Sequence, residues 1–225
     1  MLAGPLVFFD IDTQRDFLEA GGALFIRGGE AILPQLARLT EFARLAKIPV
    51  LATACAHVED DPEFEVFPPH CLVGTPGQQR VEATSWPQTQ VLGVNERIGE
   101  AIPSHLTVEK VSHDFFSRAD AIEIVTHYAR NDPTFVVYGV ATDYCVGCAV
   151  RGLVNQGLRV ALVVDAIRAI VPEQEARILT EFAKCGVLLT LTDVVCDDHS
   201  HARPIQEAIS ADPRPERSPS PSDRC

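Results

Sequence analysis

Basic residues are scarce in this sequence: 19 lysines and arginines stand against 31 acidic residues, a formal net charge of −12. A protein that grips phosphates needs a basic face, so a nucleic-acid partner is disfavoured and a small-molecule ligand is expected instead. Long apolar runs are missing as well. No stretch approaches the roughly 18 uninterrupted apolar residues of a membrane span, and no basic segment followed by an apolar run opens the chain. Neither a span nor a secretion signal is visible, so no membrane partner and a cytoplasmic location are expected. Cysteine lacks the dense, even spacing of small secreted domains: the seven lie at 55, 71, 145, 148, 185, 196 and 225, scattered through apolar segments. Mostly reduced thiols are expected. There is no internal repeat and no clear break between domains.

What is present is enough for a sizeable core, since 46% of the 225 residues are apolar. One domain is expected over residues 1–210. The tail at 211–225, "ADPRPERSPSPSDRC", is proline, serine and charge with almost nothing to bury, and disorder is expected there. Strand-like apolar runs appear at Leu6 to Ile11, Ile48 to Thr53, Phe135 to Val140, Leu158 to Val164 and Val187 to Leu191, with a weaker one at Leu106 to Val111. Helical patterns lie between them. Glu30 to Lys47 repeats Ile32, Leu33, Leu36, Leu39, Phe42, Ala43 and Ala46 at three- and four-residue spacings, and Pro172 to Lys184 opens with proline and acids. Strands apolar on both faces and separated by helices predict an α/β fold, three layers deep, around a mostly parallel sheet of about six strands. In such sheets ligands sit beyond the carboxyl ends of the strands. That rule singles out Asp12, Cys55 to His57, Lys110 and Ala141 to Cys145. The proline- and glycine-rich segment from 55 to 90, which carries His57 and His70, reads as a functional excursion from the sheet.

The stretch "VYGVATDYCVGCAVRGL" at 137–153 runs from a strand into a helix and places Cys145 and Cys148 at the join. Thr142 or Asp143 is expected to cap that helix, which should stop at Gly157. Cys145 then lies in its first turn, where free N–H groups and the helix dipole favour a thiolate. Position alone leaves three readings open: a nucleophile, a redox C-x-x-C pair, and plain packing. A zinc half-site is disfavoured because no second C-x-x-C pair exists. Asp12 after one strand and Lys110 at the end of another shift the balance. A carboxylate that moves a proton, an ammonium that steadies an anion and a thiol form a self-consistent device at one sheet edge. Taken singly, Asp12 could cap a turn and Lys110 could be a surface charge.

Four segments carry a family resemblance: "DTQRDF" at 12–17, "FPPHCLVGTPG" at 67–77, "EKVSHDFFS" at 109–117 and "GVATDYCV" at 139–146. From about Leu6 to Val194 the chain resembles the isochorismatase-like cysteine hydrolases, and among them the nicotinamidases, which convert nicotinamide to nicotinate and ammonia through a cysteine thioester. The resemblance implies catalytic roles for Asp12, Lys110 and Cys145, a cis peptide between Val140 and Ala141, and an oxyanion hole from the N–H groups of Ala141 and Cys145. It implies a ring pocket lined by Phe17, Phe67 and His113. It also implies a divalent metal, zinc by the softness of the donors, held by Cys55, His57, Glu63 and His70, with Cys55 standing where the family carries aspartate. Arg15 replaces the family's asparagine and is expected to point outward. The implied partner is a small carboxamide, with a homo-oligomer compatible by analogy. The competing readings are a related amidohydrolase for another small carboxamide, a non-catalytic binding protein on the same fold, and a thiol oxidoreductase using Cys145 and Cys148.

Overall fold

The computed structural model describes residues 2, 4–99 and 101–197. The tail expected at 211–225, and the end of the domain expected to reach 210, lie outside the described residues. Seven strands form one sheet: β1 (Leu6–Ile11), β2 (Val50–Cys55), β3 (Gln90–Leu92), β4 (His105–Lys110), β5 (Thr134–Val140), β6 (Arg159–Arg168) and β7 (Leu188–Thr190). Their order is β3-β4-β2-β1-β5-β6-β7, and every pairing is parallel. Six of the seven coincide with the apolar runs of the sequence. The seventh, β3, is a three-residue edge strand with two exposed positions, so it carries no apolar run to announce it.

Among the described residues six α-helices connect and cover the strands: α1 (Arg15–Leu18), α2 (Leu33–Ala46), α3 (Ala121–Tyr128), α4 (Cys145–Asn155), α5 (Pro172–Lys184) and α6 (Thr192–Asp197). Alternation along β1 shows how the layers arise. Val7, Phe9 and Ile11 face a core shared with Ile124 and Val125 of α3, Val146, Val150 and Leu153 of α4, and Ile178 and Phe182 of α5. Leu6 and Phe8 face the other core, with Leu36, Leu39 and Ala43 of α2 and Val195 of α6. A strand buried on both faces has no polar side to present, which is why LVFFDI reads as an unbroken apolar run before its aspartate.

The strand order reverses direction at β1: the chain builds outward on one side through β2 and β4, and on the other through β5, β6 and β7. Such a switch point opens a crevice at the carboxyl edge. The ends of the adjacent strands β4, β2, β1 and β5 therefore bring the residues near 110, 55, 12 and 141–145 to one place. A larger cavity of about 290 Å³, lined by Pro5, Lys47, Pro49, His127, Tyr128 and Arg130, contains none of these residues.

Candidate active site

Asp12 follows β1 directly, with a positive φ of 49° that turns the chain out of the strand. Its carboxylate is fully buried and held from two sides. Thr53 Oγ1 donates to Oδ1 at 2.6 Å, and Lys110 Nζ lies 2.8 Å from Oδ2. Lys110, the last residue of β4, is only 2% exposed. Its ammonium also reaches the Cys55 Sγ at 3.3 Å and the Cys145 Sγ at 3.6 Å. A surface role for this lysine is excluded. Burial alone would lower its pKa, but Asp12, Cys145 and Cys55 together outweigh burial and hold it charged, well above the ordinary lysine value.

Cys145 is the first residue of α4, so its N–H is among those with no intrahelical carbonyl partner. The expected cap is not used. No side chain caps this helix; the Tyr144 and Val146 N–H groups both donate to the Ala141 carbonyl. Asp143 spends its two oxygens on the N–H groups of Ile170 and Val171 and ties the turn to the segment after β6. The helix ends at Asn155, and Gly157 follows with φ +73°, the left-handed stop that glycine was expected to supply. The Val140–Ala141 peptide is cis, as the resemblance implies. Gly139 sits just before it because a Cβ there would lie 2.0 Å from the Ile11 carbonyl oxygen. The Cys145 thiol lies beside the Cys55 thiol, within 4.8 Å, and is buried. Both effects keep it protonated, with a pKa well above that of an ordinary thiol despite the opposing Lys110 charge.

The motif after β1 works as a set of struts. Gln14, completely buried, donates from Nε2 to the Cys55 carbonyl at 2.8 Å and accepts from the Cys55 N–H at 2.7 Å, which fixes the end of β2. Asp16 accepts from the Cys71 N–H at 2.7 Å and anchors the P-P-H-C segment. Gly77 packs on that carboxylate where a Cβ would lie 2.2 Å from either oxygen. Arg15 points outward and pairs with Glu19. Gln14 and Asp16 are positioning residues that sequence reasoning passed over; their place in "DTQRDF" is the signal that could have found them.

The metal ligands expected from the resemblance divide into two clusters. Donor atoms of His57, Glu63 and His70 lie within 4.8 Å of one another. Cys55 belongs instead to a second such cluster with Asp12 and Cys145, and its thiol faces the charged pair. The structure thus brings three of the four expected ligands together and places Cys55 with the catalytic candidates. The three fit a divalent cation. His57 Nδ1 bonds the Asp61 carboxylate at 2.8 Å, leaving Nε2 buried with no hydrogen-bond partner among the described residues. His70 Nδ1 bonds the Pro68 carbonyl at 2.9 Å, with Nε2 turned toward Glu63 at 3.8 Å. Burial lowers the pKa of His70, keeping it neutral with its lone pair free to bind. Burial would raise the Asp61 pKa, but its bonds from His57 and the Glu63 N–H win, so it stays ionised below the ordinary carboxylate value. A carboxylate fixing the far nitrogen of a ligating histidine is the usual outer support of a metal site.

Phe17, Phe67 and His113 line a cleft with Cys145, Cys55, His70 and Glu63, joined by Tyr144 and Ile170, which the sequence did not suggest. The Tyr144 ring packs edge-on against both Phe67 and His113. The open space is about 30 Å³. Of the lining rings, Phe67 is half-buried and His113 exposed.

The profile of the isochorismatase domain matches residues 7–194. The chain belongs to the isochorismatase family. Curated relatives within reach of its sequence include a nicotinamidase/pyrazinamidase of Mycobacterium tuberculosis, 26% identical over 192 residues, covering 80% of this chain and 95% of that protein. Another is a probable inactive nicotinamidase of Arabidopsis thaliana, 24% identical over 79% of this chain and 87% of the relative. Among solved structures, the pyrazinamidase of Pyrococcus horikoshii in complex with zinc superposes with a TM-score of 0.70 at 25% identity, covering 83% of this chain and 98% of that one.

Proposed function

We propose that this isochorismatase-family chain is a nicotinamidase-type amide hydrolase, with Cys145 as nucleophile, Asp12 as proton carrier and Lys110 as the fixed positive charge. The observation that carries this reading is the convergence of a buried ammonium on a carboxylate at 2.8 Å and on the Cys145 sulfur at 3.6 Å at the sheet edge. The nicotinamidase and pyrazinamidase relatives support the amide class.

The resting site holds a thiol beside an intact Asp12–Lys110 pair. Attack therefore requires Asp12 to take the Cys145 proton as the sulfur closes on the carboxamide carbon, with Lys110 steadying the charge that develops on sulfur. Negative charge on the carbonyl oxygen is met by the N–H groups of Ala141 and Cys145, a contribution of about 3 kcal/mol per donor in comparable sites. Asp12 then passes its proton to the departing nitrogen; ammonia leaves and a thioester remains on Cys145. Water, deprotonated by the same carboxylate, cleaves the thioester and restores the thiol. A divalent cation, zinc by the donor set, would be held by His57, Glu63 and His70, and when bound it supplies a Lewis acid that anchors the ring nitrogen. Phe17, Phe67, His113 and Tyr144 clamp the ring so that the amide carbon meets the sulfur.

A related cysteine amidohydrolase acting on another small carboxamide is the second reading, and the narrowness of the cleft favours it. Arg118, a candidate for binding a substrate carboxylate in such an enzyme, is committed elsewhere: it pairs with Asp120 and donates to the Glu109 carbonyl. The discriminating experiment measures ammonia release from nicotinamide, pyrazinamide and aliphatic amides by protein of known metal content. Turnover of the ring amides, lost on chelation, supports the proposal. Preference for aliphatic amides selects the second reading, and no release from any amide refutes both.

A further inference from the structure

We infer that Cys55 and Cys145 form a peroxide-sensitive modification site, in which an intramolecular disulfide reversibly removes the nucleophile from service. The biological consequence rests on the proposed role of Cys145, but the chemistry of the pair does not. The two sulfurs lie within 4.8 Å of each other and share one ammonium, Lys110 Nζ, at 3.3 and 3.6 Å. Cys55 ends β2 and Cys145 begins α4, so the pair joins two elements far apart in sequence but adjacent at the switch point. Both thiols are free in the structure.

The alternatives to this pairing are weaker. Cys148 lies in α4 one turn beyond Cys145 and shares neither the cleft nor the lysine contact. Cys71 is wholly buried, its N–H pinned by Asp16, and burial pushes its thiol far up. The redox reading of C-x-x-C offered by the sequence therefore moves from Cys148 to Cys55, a residue separated from Cys145 along the chain by β3, β4, α3 and β5.

The chemistry balances with hydrogen peroxide as the oxidant. The Cys145 sulfur attacks one peroxide oxygen and the O–O bond breaks. A sulfenic acid forms, and the other oxygen leaves as water, taking the thiol proton through Asp12. The Cys55 sulfur then attacks the Cys145 sulfur; the S–O bond breaks, the second oxygen leaves as water, and the disulfide closes. Two thiols are oxidised by two electrons, and one peroxide becomes two waters. Cys55 and Cys145 both line the cleft by which a small oxidant would reach them. Sulfur oxidation beyond the sulfenic stage is irreversible in most proteins, and a second thiol in reach diverts the intermediate onto the reversible branch.

The test treats the purified full-length protein with hydrogen peroxide, alkylates remaining thiols, and maps the peptides by mass spectrometry with and without dithiothreitol. The expected result is a peptide pair linked through Cys55 and Cys145, with Cys145 alkylation falling by about tenfold or more and recovering after dithiothreitol. In the isosteric Cys55→Ser variant the same treatment should carry Cys145 to sulfinic or sulfonic acid, with no recovery. The inference is overturned if wild-type Cys145 is over-oxidised while Cys55 stays alkylatable, if Cys145 pairs with Cys148, or if Cys145 resists peroxide. Because peptides are read without substrate, a protein that cleaves no amide can still pass, and an active amidase can still fail.

Discussion

Replacing Lys110 by methionine keeps the length of the side chain and removes its charge, which separates packing from electrostatics at the centre of the site. Nζ stands 3.6 Å from the Cys145 sulfur, and a unit charge pair at that separation, with an effective dielectric constant of about 20, is worth about 4 to 5 kcal/mol. Spread over the step in which sulfur carries charge, that predicts a loss of about a thousandfold in kcat/KM. The same substitution leaves Asp12 without its cation in a wholly buried position, a break that costs about 3 to 5 kcal/mol of stability. For a chain of this size the midpoint of thermal unfolding should fall by about 6 to 20 °C. The double variant Lys110→Met/Asp12→Asn should recover much of the stability and none of the activity, because an uncharged amide needs no counter-ion and cannot carry the proton. Ammonia release, alkylation of Cys145 by iodoacetamide against pH, and urea unfolding read the three effects separately. Lys110→Met retaining more than about a tenth of wild-type kcat/KM would refute the argument, since the ammonium would then contribute less than about 1.4 kcal/mol.

Other expectations follow from the surroundings. Asp61→Asn should weaken zinc binding by about 10- to 100-fold, as loss of an outer carboxylate does elsewhere. His57→Ala should abolish stoichiometric binding; equilibrium dialysis measures both, and unchanged affinity in His57→Ala would remove His57 from the ligand set, while unchanged affinity in Asp61→Asn would remove Asp61 as its support. Asp16→Ala should loosen the P-P-H-C segment through loss of the bonds to the Cys71 and Ala23 N–H groups, seen as faster amide exchange confined to that region. His105 is pushed down to about 4 by burial, then by the charge of Arg80, and its ring stacks on Trp86 at 4.3 Å. A depressed histidine pKa means that the unfolded chain takes up a proton which the folded one refuses. Its contribution should therefore be constant above the ordinary value near 6.5 and erode as pH falls from there to about 4. His105→Gln should flatten that part of a stability-against-pH curve. An unchanged slope would mean that His105 is not the group responsible.

Much of this was legible in the sequence, for reasons that differ by element. The central strands declare themselves because burial on both faces leaves LVFFDI and TFVVYGV apolar apart from Asp10 and Thr134. Asp12, Lys110 and Cys145 could be paired in advance because parallel strands deliver their carboxyl ends to one edge. What depended on loops was harder. The three-residue β3 carries no period to detect, and the capping of α4 was misassigned because Asp143, a good capping residue by type, is recruited by the loop after β6. Cys55 was the least readable position. It stands where the resemblance implies a metal-ligating aspartate, two residues before His57, yet Gln14 clamps its backbone on both sides, and the thiol faces Lys110. Nothing local to Cys55 announces a clamp that comes from residue 14.

The central claim is that sulfur from Cys145, and not from its neighbour Cys55, forms the bond to substrate. Acid-quenching the protein during turnover of nicotinamide and mapping its peptides by mass spectrometry tests this most directly. The account predicts an acyl group on the peptide containing Cys145, absent from the Cys145→Ala variant along with ammonia release. An acyl group on Cys55, or turnover that persists in Cys145→Ala, would contradict it.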